Sequence, residues 1–266
     1  MISLFAKTLG DQRRSLVFWS LGLAATAFLM VMFYPTIAES ASAIEQYFEA
    51  IPPELLALFA GAITDFTSPA GFLNTELFFL IIPLLFMIFA IGRGSGAIAG
   101  EEESGTLDIL LSYPLPRWQV IIAKFASMAV QTFILAIVLW LSLLIGAALV
   151  GMEIGWAELF AACISAALLG LSFGTLALAI GCARGSKGLA IGAASGIAVI
   201  SYFTNALANA VSSVEPYQKF SLFYYYIAAD PLNHGLNAGH AAILLGVSIV
   251  LLAAALLFFN KRDLSV

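Results

Sequence analysis

Charge is what this chain has least of. Eleven Lys and Arg and sixteen Asp and Glu make up 10% of its 266 residues, against about a quarter in a soluble globular protein. So few charged side chains cannot cover a protein of this size against water. With 62% hydrophobic residues and a mean hydropathy of +1.01, the chain reads as an integral membrane protein, and a disordered chain is excluded. Cysteine is almost as scarce. Cys163 and Cys182 fall in one apolar run, where a helix would hold them roughly 28 Å apart, far beyond disulfide reach. A disulfide scaffold is therefore excluded. No Cys and His set has metal-ligand spacing, so no metal site is expected. No basic patch with interleaved aromatics appears, so nucleic acid is not an expected partner. A phosphate loop is also missing: in the run Gly181 to Lys187 the second glycine, Gly185, is followed by Ser186 and not by Lys. The run Gly94 to Ala99 fits a loose GxGxxA dinucleotide pattern, but no strand precedes it.

What the chain has in abundance is long apolar runs. Six of them reach the ~20 residues that a spanning helix needs: 15–37, 75–99, 119–150, 158–183, 188–212 and 239–260. The third is long enough for two short helices, yet no charge or proline divides it, and one tilted helix is expected. The basic residues then set the orientation. Lys7, Arg13, Arg14, Arg93, Arg117, Lys124, Arg184, Lys187, Lys261 and Arg262 all fall on one side, and only Lys219 falls on the other. Both termini are therefore expected in the cytoplasm. The expected fold is all-α, a single polytopic transmembrane domain over 1–266.

Ala41-Ser42-Ala43 resembles a signal cleavage site, but the run before it exceeds the 7–15 residues of a signal peptide, and retention of the first span is expected. Residues 1–14 alternate Ile2, Phe5 and Leu9 with Lys7, Asp11 and Arg13, as an amphipathic helix on the inner surface would. On the outer side, Ser42 and Glu45 form a capping box. Ile44, Phe48, Ile51, Leu55 and Leu58 follow at helical spacing around Pro52-Pro53. Phe223 to Tyr226 in the second outer loop read as an interfacial aromatic anchor.

The first inner loop carries the most specific pattern. It reads Gly100-Glu101-Glu102-Glu103-Ser104-Gly105-Thr106-Leu107-Asp108-Ile109-Leu110-Leu111-Ser112-Tyr113-Pro114-Leu115-Pro116-Arg117-Trp118. Three consecutive glutamates oppose the basic bias of an inner loop. Gly105 breaks the acidic turn, Thr106 can cap a short helix with Leu107, Leu110 and Leu111 on one face, and Pro114 and Pro116 end it. A short acidic and apolar helix at the inner surface has the form of a docking element for a soluble partner; a solvated charge run would show the same composition.

This loop resembles the E-x-x-x-GTL-(D/E)-x-LL-x-x-P-x-(S/P)-R signature of permease subunits of type-2 ATP-binding-cassette (ABC) exporters. The six spans and the Lys261-Arg262-Asp263-Leu264 ending resemble that family as well. Pro116 stands where Ser is commoner, and Trp118 is unusual there. The resemblance implies that the loop holds a coupling helix, with Glu101, Glu102, Glu103, Gly105, Thr106, Leu107, Asp108 and Arg117 passing motion from a separate ATPase subunit. It implies that two permease copies, identical or related, assemble with two ATPases in the inner membrane. No cofactor would be bound by this chain, with ATP and Mg held by the partner. The chain itself would be no enzyme. Cargo is not legible; an apolar span 2, with Phe78, Phe79, Phe86, Met87 and Phe89, either faces lipid or lines a greasy cleft.

Span 5 combines two patterns. Gly188, Gly192 and Gly196 repeat at GxxxGxxxG spacing, suited to close helix packing. Ser201, Asn205, Asn209 and Ser212 lie on a face roughly 200° away. In the resembling family spans 2 and 5 of the two copies face each other across the pathway, so the polar four are expected to line its outer half; tying span 5 to its own bundle is the competing role. Two other functions share parts of this pattern. A rhomboid-like intramembrane serine protease would use Ser172, in Gly170-Leu171-Ser172-Phe173-Gly174, with His240. The serine should lie roughly 21 Å below the rim where His240 sits, whereas nucleophile and base must be about 3 Å apart. A stand-alone secondary carrier would need charged or broken-helix sites within the spans, and these are lacking.

Overall fold

A computed structural model describes residues 1–40, 68–111, 115–208, 211 and 213–262. Every regular element among them is helical. Six helices are long and apolar enough to cross a membrane: Ile2–Glu39, Pro69–Ala97, Arg117–Val150, Trp156–Arg184, Lys187–Ala208 and Ala238–Lys261. The expected outer helix and its capping box at 42–58 lie outside the described residues.

The first helix, α1 (Ile2–Glu39), runs unbroken through Pro35. At 1.5 Å per residue it is about 57 Å long, nearly twice the hydrocarbon core, so the amphipathic N-terminal stretch continues directly into the span. The second span opens with α2 (Pro69–Leu73), where the Ser68 side chain accepts the Gly71 N–H at 3.1 Å. A π-helical turn (Asn74–Phe78) leads on to α3 (Ile81–Ala97). Two short helices, α4 (Ala99–Glu103) and α5 (Leu107–Leu111), connect to α6 (Arg117–Val150). The long third run is therefore one helix, as its lack of breakers predicts. Next come α7 (Trp156–Arg184) and α8 (Lys187–Ala208). A 3-10 turn (Glu215–Phe220), α9 (Leu222–Ile227) and α10 (Pro231–His234) lead to α11 (Ala238–Lys261).

The bundle is organised around α7, which packs against α3, α6, α8 and α11. Small residues make this possible. A Cβ at Gly170 would lie 2.9 Å from that of Phe86, and one at Gly174 would lie 2.8 Å from that of Ala90. A Cβ at Gly94 would strike the Gly174 carbonyl oxygen. Backbone meets backbone, the arrangement that GxxxG spacing allows where lipid supplies no hydrophobic drive. Some polar groups inside the bundle are bonded across it, which spares them exposure to hydrocarbon. Ser172 Oγ donates to the carbonyls of Leu168 at 2.9 Å and Leu244 at 3.1 Å, and lies 3.2 Å from Ser248 Oγ. Ser142 Oγ donates to the Ala24 carbonyl at 2.9 Å.

The aromatic loop is divided between surface and core. Phe223 and Tyr226 are buried, and the Tyr226 hydroxyl donates to the Phe78 carbonyl at 2.5 Å. Burial pushes this hydroxyl well above its ordinary pKa. Tyr224 and Tyr225 instead pack against His240.

Candidate functional site

The loop between α3 and α6 is held by bonds that its own sequence dictates. Gly105 adopts φ +70°, a left-handed turn that glycine takes without penalty. This folds the chain back so that the Thr106 N–H donates to the Glu101 carbonyl at 2.9 Å, and the Thr106 hydroxyl donates to the Glu101 carboxylate. Ser104 and Thr106 hydroxyls lie 3.0 Å apart. The α5 helix starts at this turn, with Leu110 N–H donating to the Thr106 carbonyl at 3.1 Å.

The three glutamates diverge to three different helices. Glu101 accepts from Lys124 Nζ of α6 at 2.6 Å. Glu102 takes a two-pronged ion pair from Arg262, just past the end of α11. Glu103 accepts the Lys187 backbone N–H at 2.8 Å, at the first residue of α8. Burial alone would raise the Glu101 pKa. Hydrogen bonds from Lys124 and Thr106, with the charges of Lys124 and Lys7, outweigh it and hold the carboxyl below its ordinary value.

Arg117 closes the network from beneath. Its Nη1 donates to the carbonyls of Phe259 at 3.2 Å and Arg262 at 3.0 Å, and its guanidinium lies over the Phe259 ring. Leu107 is buried in a cluster with Leu4, Ile98, Val120, Cys182 and Phe259. Glu103, Ser104, Gly105, Thr106 and Asp108 are left exposed. The eight loop residues expected to act in coupling are thus gathered at one place, in two roles. Glu101, Glu102, Glu103, Leu107 and Arg117 tie the loop to its neighbours, and Ser104, Gly105, Thr106 and Asp108 form its exposed rim.

Arg262 could not be assigned from the loop alone, because it lies 160 positions away; the Lys-Arg pair at the chain's end was its only trace. The Lys187 N–H is a backbone donor and leaves no mark in the sequence. Gly185 is the third residue missed. It has φ +67°, and a Cβ there would collide with the Arg262 guanidinium and lie 2.6 Å from Glu102 Oε1.

A second feature runs between α3 and α8: an apolar groove of about 430 Å³, whose walls include Leu84, Met87 and Ile91 on one side and Val199, Tyr202 and Phe203 on the other. Phe86 lies outside this wall and packs on Gly170 of α7. The polar face of span 5 is turned into its own chain. Ser201 and Asn205 are buried; Ser201 Oγ accepts the Leu222 N–H at 3.0 Å, and Asn205 Oδ1 accepts from Gln218 Nε2 at 3.3 Å. Asn209 and Ser212 lie outside the described residues. Gly188, Gly192 and Gly196 are exposed, with nothing among the described residues within 4 Å of where a Cβ would stand. The glycines that permit close approach within the chain are Gly94, Gly170 and Gly174.

Ser172 is buried and bonded to α11 at Leu244 and Ser248. His240 lies one turn from Leu244 and two from Ser248, about 6 and 12 Å by helical rise, and the Ser172 hydroxyl is bonded to Leu168, Leu244 and Ser248 instead, so Ser172 and His240 form no dyad. Among the described residues, no group of three or more His, Cys, Asp or Glu is placed to hold a metal ion.

A bundle of six membrane-crossing helices, with a polar loop stapled across the ends of three of them, defines a multi-pass membrane protein. Residues 2–264 match the model of the ABC-2 family transporter proteins, and the chain belongs to that family. It is a membrane permease subunit of an ABC transporter. A 51-residue segment is 45% identical to a probable ABC transporter permease protein, NosY, of Pseudomonas aeruginosa; the segment covers 19% of this chain and 17% of that protein's length.

Proposed function

We propose that this permease is an exporter subunit of the inner membrane, with both termini in the cytoplasm, driven by a separate ATPase subunit that binds ATP and Mg and docks on the loop between α3 and α6. The observation that carries this reading is the exposed rim of Ser104, Gly105, Thr106 and Asp108, standing on a base tied to α6, α8 and α11. Such a rim can receive force from a soluble partner, and the ties deliver it to the spans. Asp108 supplies an exposed negative charge on that rim, suited to steering a basic groove on that partner.

The groove between α3 and α8 is the proposed cargo route, completed by a second permease copy. Its lining favours a hydrophobic or amphipathic cargo. Ser201 and Asn205 are already committed to residues 218–222 of the same chain, so the route is assigned to the groove wall, and the polar face is given the role of holding the outer loop. The open glycine stripe of α8 is the face on which the second copy approaches.

A photo-crosslinking residue placed at Asp108 in the full chain tests this assignment in native membranes. Capture of an ATP-hydrolysing chain from position 108, and not from Ser213, is the expected result. Capture from 213 and not 108 would refute the docking assignment.

A further inference from the structure

The groove has two walls, and both end at α4. The α3 wall reaches it through the chain itself, since Ala99 follows α3 after a single residue, Ile98. The α8 wall reaches it through one carboxylate. The first N–H groups of any helix lack intrahelical acceptors. At α8, Ser186 Oγ takes the Leu189 N–H at 3.4 Å, and Glu103 of α4 takes the Lys187 N–H at 2.8 Å. The Lys187 stem also lies along α4, 3.6 Å from where a Gly100 Cβ would stand. A negative charge at this position is further favoured by the helix dipole. The other two glutamates lead elsewhere, Glu101 to α6 and Glu102 to the end of α11.

We propose that Glu103 is the positioning residue through which the loop moves α8: by capping α8 from outside, it makes the groove's second wall follow α4 whenever the docked ATPase shifts the loop. This rests on the reading of the loop as the ATPase dock. The proposal separates the three adjacent glutamates, giving one to the groove and two to the anchoring of the loop. Because the acceptor serves a neutral N–H, a neutral amide oxygen at 103 can replace it, whereas the Glu102–Arg262 ion pair requires charge.

The test uses the permease–ATPase complex purified from its native membranes, with Cys163 and Cys182 replaced by Ala and spin labels at Leu84→Cys and Val199→Cys across the groove. The inter-label distance is measured without nucleotide and with ATP trapped by vanadate. The wild-type pair should shift on trapping. Glu103→Ala should lose the shift at equal trapped nucleotide, and Glu103→Gln should retain it. Lys187→Pro is the companion variant: proline at the first helical position keeps the helix and removes the donor together with the Lys187 stem; it should reproduce the loss, whereas Lys187→Ala, which removes the stem alone, should retain the shift. A full shift in Glu103→Ala or in Lys187→Pro would overturn the proposal, as would loss of the shift in Glu103→Gln. If no ATPase co-purifies and wild type shows no shift, the docking reading itself fails, and this inference with it.

Discussion

Gly185 and Gly151 share φ +67° but differ in what surrounds them. At Gly151 a Cβ would meet nothing among the described residues, whereas at Gly185 it would displace Arg262 from Glu102. Alanine at either position bears the left-handed strain of about 1–2 kcal/mol. Only Gly185→Ala should also open the ion pair that ties α11 to the loop. Thermal unfolding of the purified full chain should therefore rank Gly185→Ala below Gly151→Ala, and equal melting temperatures would remove the ion pair from the account. Glu101 provides a pH-dependent counterpart. Its folded pKa is depressed, so its contribution to stability is present above the ordinary carboxylate value of 4.5 and is lost as pH falls through the lower folded value. The stability advantage of wild type over Glu101→Gln should hold at neutral pH and vanish on acidification below 4.5. An advantage that persisted or grew in acid would contradict that linkage. The triple glutamate was legible as a local oddity, an acidic run among basic loops. Its three separate partners were not, since one is a distant arginine and one a backbone N–H.

Among the elements, α8 shows best how helical periodicity informs and where it stops. The spacing placed the glycines and the polar residues on opposite faces, and the structure keeps them apart. Periodicity cannot say which face turns outward, because that depends on what the connecting loop needs. Here Ser221, Leu222 and Gln218 need partners, and Ser201 and Asn205 supply them; a polar side chain left facing hydrocarbon would be costly. The expected outcome is disulfide crosslinking between permease copies from Val199→Cys, beside the glycines, and none from Asn205→Cys, both in a cysteine-free background. Crosslinks from 205 alone would mean that α8 faces the other way in the assembly. The groove between α3 and α8 yields a second outcome. Val199→Trp, which fills it with a large side chain, should lower cargo-stimulated ATP hydrolysis while leaving membrane insertion and ATPase binding intact; unchanged stimulation would remove the groove from the transport route.

For the whole molecule, the six spans were readable because each is an apolar run long enough to cross a bilayer; α1 begins at Ile2, well before its run at 15–37, and the other five helices begin and end within several residues of theirs. The packing order was less accessible. GxxxG at Gly170 and Gly174 marked α7 as a packing helix, but only the assembled bundle reveals Gly94 and Ala90 as the residues it meets. The side on which the loop lies was read from charge, ten of eleven basic residues against one. In intact cells Ser104→Cys should resist an impermeant thiol reagent that labels Ser213→Cys, both in a background lacking Cys163 and Cys182. The most direct measurement is affinity purification of the full chain from its native membranes, with ATP hydrolysis assayed in the eluate. The account predicts co-purifying ATPase activity that falls sharply in Asp108→Lys while permease recovery is unchanged. Wild-type eluates without ATPase activity, or an Asp108→Lys eluate with all of it, would contradict the claim that this loop is where the transporter is driven.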